Sequence, residues 1–118
     1  MRPTFYIAID FDGTLTKKNS FPNIGEPNTE NIEKISKYIA KKEDECYRVV
    51  KILWTCREDI PNGQNYLSDA VSWCDSNVPF KFDYINENPE ITFNHKELIR
   101  KIIADVYIDD AAINPFYL

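Results

Sequence analysis

The sequence predicts an α/β fold: a parallel sheet with helices on both faces, three layers in all. Three observations predict it. Apolar runs rich in β-branched and aromatic residues recur at 5–9, 47–54, 82–85 and 104–109. Between them lie segments with helical apolar spacing, so strand and helix alternate. The intervals are long enough for right-handed crossovers between parallel strands. With 118 residues, 43% of them apolar, the chain suits a single domain, 1–118, around one core.

The first run, Phe5 to Ile9, is continuously apolar and ends in charge, as expected of a central strand covered on both faces. Residues 11–27 are irregular, with Gly13, Pro22, Gly25 and Pro27 as breakers. Asn28 or Thr29 can cap a helix whose apolar stripe is Ile32, Ile35 and Ile39. Glu30 and Glu33 at its start and the lysines at its end suit the helix dipole. Residues 47–54 (YRVVKILW) form the second strand and TCREDIPNG the loop after it. A second helix is expected over about Gln64–Asp75, with Leu67, Ala70, Val71 and Cys74 on one face. Phe82 to Ile85 is a short third strand, INENPE a turn, about His95–Ile102 a third helix, and 104–109 (ADVYID) a fourth strand. Trp54 and Trp73 are expected to pack rather than to present stacking faces.

The charge balance, 14 basic against 19 acidic residues for a net −5, disfavours a broad nucleic-acid surface but leaves room for a local basic patch. Cys46, Cys56 and Cys74 are an odd set without metal-ligand spacing and read as free thiols of a reducing compartment. No leader precedes the first strand, and no apolar run approaches the roughly 18 residues of a membrane span. A cytoplasmic protein without a membrane partner is expected.

Acids gather where the strands run out. The first strand ends in Asp10-Phe11-Asp12 and the fourth in Asp109-Asp110; Thr55, Cys56 and Arg57 follow the second. Ligands of doubly wound sheets bind outside the carboxyl ends of the strands. If the first and fourth strands are neighbours, their carboxylates crowd one crevice. At an effective dielectric near 20, two charges about 4 Å apart repel by roughly 4 kcal/mol. A hard cation with oxygen ligands, Mg²⁺ above all, relieves this. A carboxylate so placed can attack phosphorus, and its neighbour can move the proton. Thr14 and the amides around Phe11 to Gly13 can hold phosphoryl oxygens.

These residues also carry a family resemblance. Asp10-Phe11-Asp12-Gly13-Thr14-Leu15 resembles the first motif of the haloacid-dehalogenase-like (HAD) hydrolase superfamily. The WTCR phrase with Thr55 is similar to the second, Arg100-Lys101 to the third, and Tyr107-Ile108-Asp109-Asp110 to the fourth. IGEP, LWTCR and ADVYIDD are similar to phrases of a small cap-less bacterial and phage subgroup, so the likeness spans nearly the whole chain. The resemblance implies a Rossmann-like domain without a cap and a Mg²⁺-dependent phosphatase acting on a phosphorylated small molecule or an exposed phosphate of a larger one. Asp10 would be the nucleophile and Asp12 the general acid and base. Thr55 and Lys101 would complete the catalytic set, with Lys96 the alternative lysine. Phe11, Gly13, Thr14, Thr55, Cys56 and Lys101 would bind phosphate, and Asp10, Asp12, Asp109 and Asp110 the metal.

Arg57 is either a substrate-binding group or the partner of Glu58, Asp59 or Glu26. His95 is a helix-start or substrate-side residue. Alternation turns the Cys56 side chain toward the packed face, and Asp59 and Asn62 are loop-capping residues. Few residues follow Asp110, and a second copy of the chain could cover that edge. The competing readings are a metal- or phosphate-binding module with little catalysis and, more remotely, a receiver domain.

Overall fold

The computed structural model describes residues 2–91 and 103–109, and the backbone of 112–115. The chain runs β1 (Thr4–Asp10), α1 (Thr29–Asp44), β2 (Arg48–Trp54), α2 (Tyr66–Asn77), β3 (Tyr84–Ile85), β4 (Val106–Asp109) and β5 (Ala112–Pro115). The sheet order is β3-β2-β1-β4-β5. The first four strands are mutually parallel, as the alternation of elements requires. β5 pairs antiparallel with β4 and was not expected from sequence. Its short run ends in Pro115, and a proline lacking its N–H is tolerated on an edge strand. The third helix expected at about His95–Ile102 falls outside the described residues.

α1 forms for the reasons its sequence suggests. The Asn28 side chain accepts a hydrogen bond from the Asn31 N–H at 3.1 Å, which satisfies one orphan donor of the first turn. Glu30 lies in the first turn and Lys41 and Lys42 in the last. Glu30–Lys34 (3.5 Å) and Glu33–Lys37 (3.1 Å) are exposed i,i+4 pairs, worth a few tenths of a kcal/mol each. Burial contributes far more. Ile32, Ile35 and Ile39 are almost wholly covered, at roughly 1.5–3 kcal/mol per side chain. α2 begins at Tyr66 and ends at Asn77, both two residues later than expected.

Both helices cover one face of the sheet. Their buried residues join a single cluster with Ile7 and Ile9 of β1, Val49 and Leu53 of β2, and Val106 and Ile108 of β4. Two right-handed crossovers in the same direction, β1 to β2 to β3, place them there. The chain then reverses to set β4 on the far side of β1, which makes the β1/β4 boundary the topological switch point. The other face buries Ala8 and Tyr107, with Tyr6 and Trp54 against them.

The first part of the return connection is pinned to that second face. Arg48 grips the Glu90 carboxylate with two bonds, at 2.9 and 2.7 Å. The hydroxyls of Tyr84 and Tyr6 donate to the same carboxylate at 2.8 and 3.2 Å. Arg48 first, then Tyr84, hold the Glu90 carboxyl down at about 2. The folded pKa is below the ordinary 4.5, so the stabilisation is present above that value and is lost as pH falls through about 2. Titration of Glu90 by carbon NMR should show the depressed midpoint, and Arg48→Ala should raise it toward 4.5. An unchanged midpoint in that variant would exclude Arg48 as the main cause.

Candidate functional site

Asp10 is the last residue of β1 and Asp109 the last of β4. Ile9 pairs with Ile108, so the next step along the register sets the two aspartates side by side. The sequence expectation that the acid clusters meet is therefore fulfilled at these two residues. Burial pushes the Asp10 carboxyl up to about 6, and the Asp109 and Asp12 charges push the same way. The Phe11 N–H and the Thr14 hydroxyl, at 3.5 Å, oppose the rise.

After Asp10 the chain closes a tight loop on itself. The Phe11 carbonyl accepts from the amides of Thr14, Leu15 and Thr16 at 3.2, 3.0 and 3.4 Å. Gly13 has a φ of 83°, a conformation costly for residues with a Cβ. Its N–H donates to Thr16 Oγ1 at 3.0 Å, so this amide serves the loop itself. Thr14 and Thr16 are fully buried. Asn31 of α1 donates to the Thr14 carbonyl at 3.2 Å and ties the loop to the helix. The Phe11 ring is buried edge-on to Trp73, with centroids 5.4 Å apart, as the packing role expected of Trp73 predicts.

Arg57 pairs with none of Glu58, Asp59 and Glu26, the partners its sequence position offered, but with Asp12. Its side chain is 2% exposed, and it grips Asp12 in a fork, Nε to Oδ2 and Nη2 to Oδ1, each at 2.8 Å. Nη2 also donates to the Asn23 carbonyl at 2.9 Å. The guanidinium lies 5.1 Å from the Phe11 ring centroid and 5.0 Å from that of Phe21. Glu26 instead pairs with Lys17. Asp59 accepts from the Ser68 amide at 2.9 Å and from the Ser68 hydroxyl, so it caps the first turn of α2 as a loop-capping residue should.

Thr55 lies just past β2 and is buried. Its N–H donates to Asn86 Oδ1 at 2.8 Å, and its hydroxyl oxygen accepts from the Arg57 N–H at 3.1 Å. The hydroxyl hydrogen is thus left to donate elsewhere. Sequence reasoning missed Asn86. It sits after β3 with a φ of 55°, and an asparagine directly after a strand is the signal that could have marked it. Cys56 is exposed, not turned to the packed face. β2 ends at Trp54, so strand alternation no longer governs it. His95, Lys96, Lys101 and Asp110 lie outside the described residues.

Among the described residues, no group of three or more His, Cys, Asp or Glu side chains is placed to hold a metal ion. The Asp12 carboxylate is bonded to Arg57, while Asp10 and Asp109 stand side by side at the strand ends. That pair offers only oxygen donors, the chemistry of a hard cation, and its mutual repulsion is what a cation would relieve.

A stability experiment reads this strain. The Asp10 pKa is raised from 3.8 to about 6. Between those values the native state binds more protons than the unfolded chain, so stability falls as pH rises. The penalty is complete above about 6 and absent below 3.8. Thermal unfolding should therefore find Asp10→Asn more stable than the wild type near neutral pH and level with it at the acidic end. A wild type as stable as the variant at neutral pH would contradict the burial of a strained charge.

No family model matches the chain, and neither does any curated protein. Among solved structures, a conserved protein from Bacteroides thetaiotaomicron is 32% identical, with a TM-score of 0.62, over 91% of this chain and 76% of that one. The chain belongs to the same family as that protein. The two share sequence and fold over nearly all of the present chain. No described helix is long and apolar enough to cross a membrane.

Proposed function

We propose that this protein is a Mg²⁺-dependent phosphomonoesterase of the HAD-like superfamily, a single cap-less domain with helices on both faces of its sheet. The observation that carries the reading is the company Asp10 keeps. A strained strand-end carboxylate stands beside Asp109 at the switch point, with Asp12 two residues on and Thr14 bonded to it. Thr55 follows the end of the neighbouring strand β2 with a hydroxyl hydrogen to give.

In this reading an Asp10 oxygen attacks phosphorus, and the bond from phosphorus to the leaving oxygen breaks. Asp12 gives that oxygen a proton. Water then attacks the phosphorus, the bond to Asp10 breaks, and Asp12 takes the proton of the water. Ester and water become alcohol and phosphate, and both aspartates are restored. Thr14 orients Asp10, and Thr55 donates to a non-bridging oxygen. Asp10, Asp109 and the Asp12 carbonyl would hold Mg²⁺, whose charge would offset that of the phosphoryl group. Lys101 would steady Asp10 and Asp110 would support the metal, as the resemblance implies. Both Asp12 oxygens are bonded to Arg57, so one must be released for proton transfer.

That same commitment of Asp12 favours a second reading, a binding module with little turnover. A phosphate-release screen with Mg²⁺ decides between them, using p-nitrophenyl phosphate, sugar phosphates, nucleotides and phosphopeptides. Hydrolysis predicts release that EDTA abolishes. Release no greater than from Asp10→Asn on every substrate would leave the binding module, with Mg²⁺ raising the unfolding temperature as its remaining sign.

A further inference from the structure

We propose that the cavity beside Arg57 receives the leaving portion of the substrate, and that this portion is a neutral polyhydroxy body, a sugar or polyol. The proposal rests on the phosphatase reading. The cavity holds about 580 Å³ and lies between the Pro22–Ile24 turn and the start of α2, within the range of small-molecule sites. Arg57 forms one wall and grips Asp12 with its fork. Asp12 is the group that protonates the leaving oxygen in that reading, and Arg57, bonded to it, is the residue through which the cavity adjoins the reacting centre.

The lining selects the chemistry. Arg57 has its charge spent on Asp12 and on the Asn23 carbonyl. The other charged lining group is Asp69, exposed in the first turn of α2. An acid there repels a second phosphate, a nucleic-acid backbone or an acidic peptide. The remaining polar side chains are the carboxamides of Asn23 and Gln64 and the hydroxyl of Tyr66. Carboxamides, a phenol and a carboxylate together donate to and accept from hydroxyl groups in either sense. Tyr66 also brings an aromatic face, set against Phe21 at 5.0 Å between centroids, which suits the C–H face of a sugar ring. A cation would also suit Asp69, so phosphoethanolamine is the competitor that decides for a neutral body.

The test compares kcat/KM on glucose-6-phosphate, adenosine monophosphate, a phosphoserine peptide and phosphoethanolamine, with p-nitrophenyl phosphate as a small reference. Glucose-6-phosphate should lead by about tenfold or more, and Asp69→Ala and Tyr66→Ala should each remove about that factor, chiefly through KM. Both variants should keep p-nitrophenyl phosphate turnover within about twofold of wild type. Preference for any of the other three substrates, or equal losses on the sugar and aryl phosphates, would overturn the proposal while leaving the phosphatase reading intact. If none of these substrates is hydrolysed above the Asp10→Asn background, that reading fails, and amide chemical shifts on titrating glucose-6-phosphate with Mg²⁺ judge the cavity alone. Shifts at Gln64, Tyr66 and Asp69 would uphold it, and their absence would overturn it.

Discussion

Asp10→Asn is expected to lower Mg²⁺-dependent phosphate release by a factor on the order of 10⁴ or more, because an amide oxygen is a poor nucleophile toward phosphorus. The side-chain volume hardly changes, and the variant loses the strained charge that Asp109 and Asp12 press upon. It should therefore be more heat-stable than the wild type near neutral pH while being inactive. Loss of turnover together with a gain in stability separates chemistry from folding within one substitution. Retention of wild-type turnover would remove Asp10 from the reaction. Loss of turnover with loss of fold would instead point to a structural part for this carboxylate.

Arg57→Ala should be the most damaging change among the loop residues. The Arg57 and Asp12 side chains are 2% and 13% exposed, and removing one partner of a covered ion pair leaves the other uncompensated. The expected cost is about 3 kcal/mol, at the low end for buried pairs because Asp12 keeps some contact with water. A denaturant midpoint measures it. Arg57→Lys should recover only part, since a single ammonium cannot reproduce the fork or cover the Phe11 and Phe21 rings. Adding Asp12→Asn to Arg57→Ala should cost little more than Arg57→Ala alone, a coupling of about 1 kcal/mol or more. A cost below about 0.5 kcal/mol for Arg57→Ala would show that the pair does not hold these loops together. In the lysine variant kcat should fall more than KM rises, because Arg57 positions Asp12 and does not itself touch the reacting atoms.

Much of the fold could be read locally. The Ile32, Ile35, Ile39 stripe and the Asn28 cap predicted α1, and the Phe5 to Ile9 run predicted β1, because 3.6-residue and continuous apolar patterns mark such elements strongly. β5 could not be read that way. It exists because the chain doubles back on β4, and such pairing depends on where the preceding strand has been carried. The site divides similarly. Asp10 at a strand end was legible from AIDFD, whereas the bond from Thr55 to Asn86 joins positions 31 residues apart, so the local signal at Asn86 does not name its partner. Cys56 was misplaced because alternation was carried past the end of β2.

The sequence by itself determined the alternation of strand and helix, the ends of β1 and β4 in acid, and the tight turn at Gly13. All three follow from short-range sterics and apolar periodicity. Only the tertiary structure decided what those acids meet. The order β3-β2-β1-β4 sets Asp109 beside Asp10, and the packing of two loops turns Arg57 inward onto Asp12. The physical reason is that a charge is defined by its neighbours. Burial and opposing carboxylates raise the Asp10 pKa, and the approach of Arg57 across 45 residues of chain fixes both oxygens of Asp12. Neither effect exists until the strands have been laid side by side.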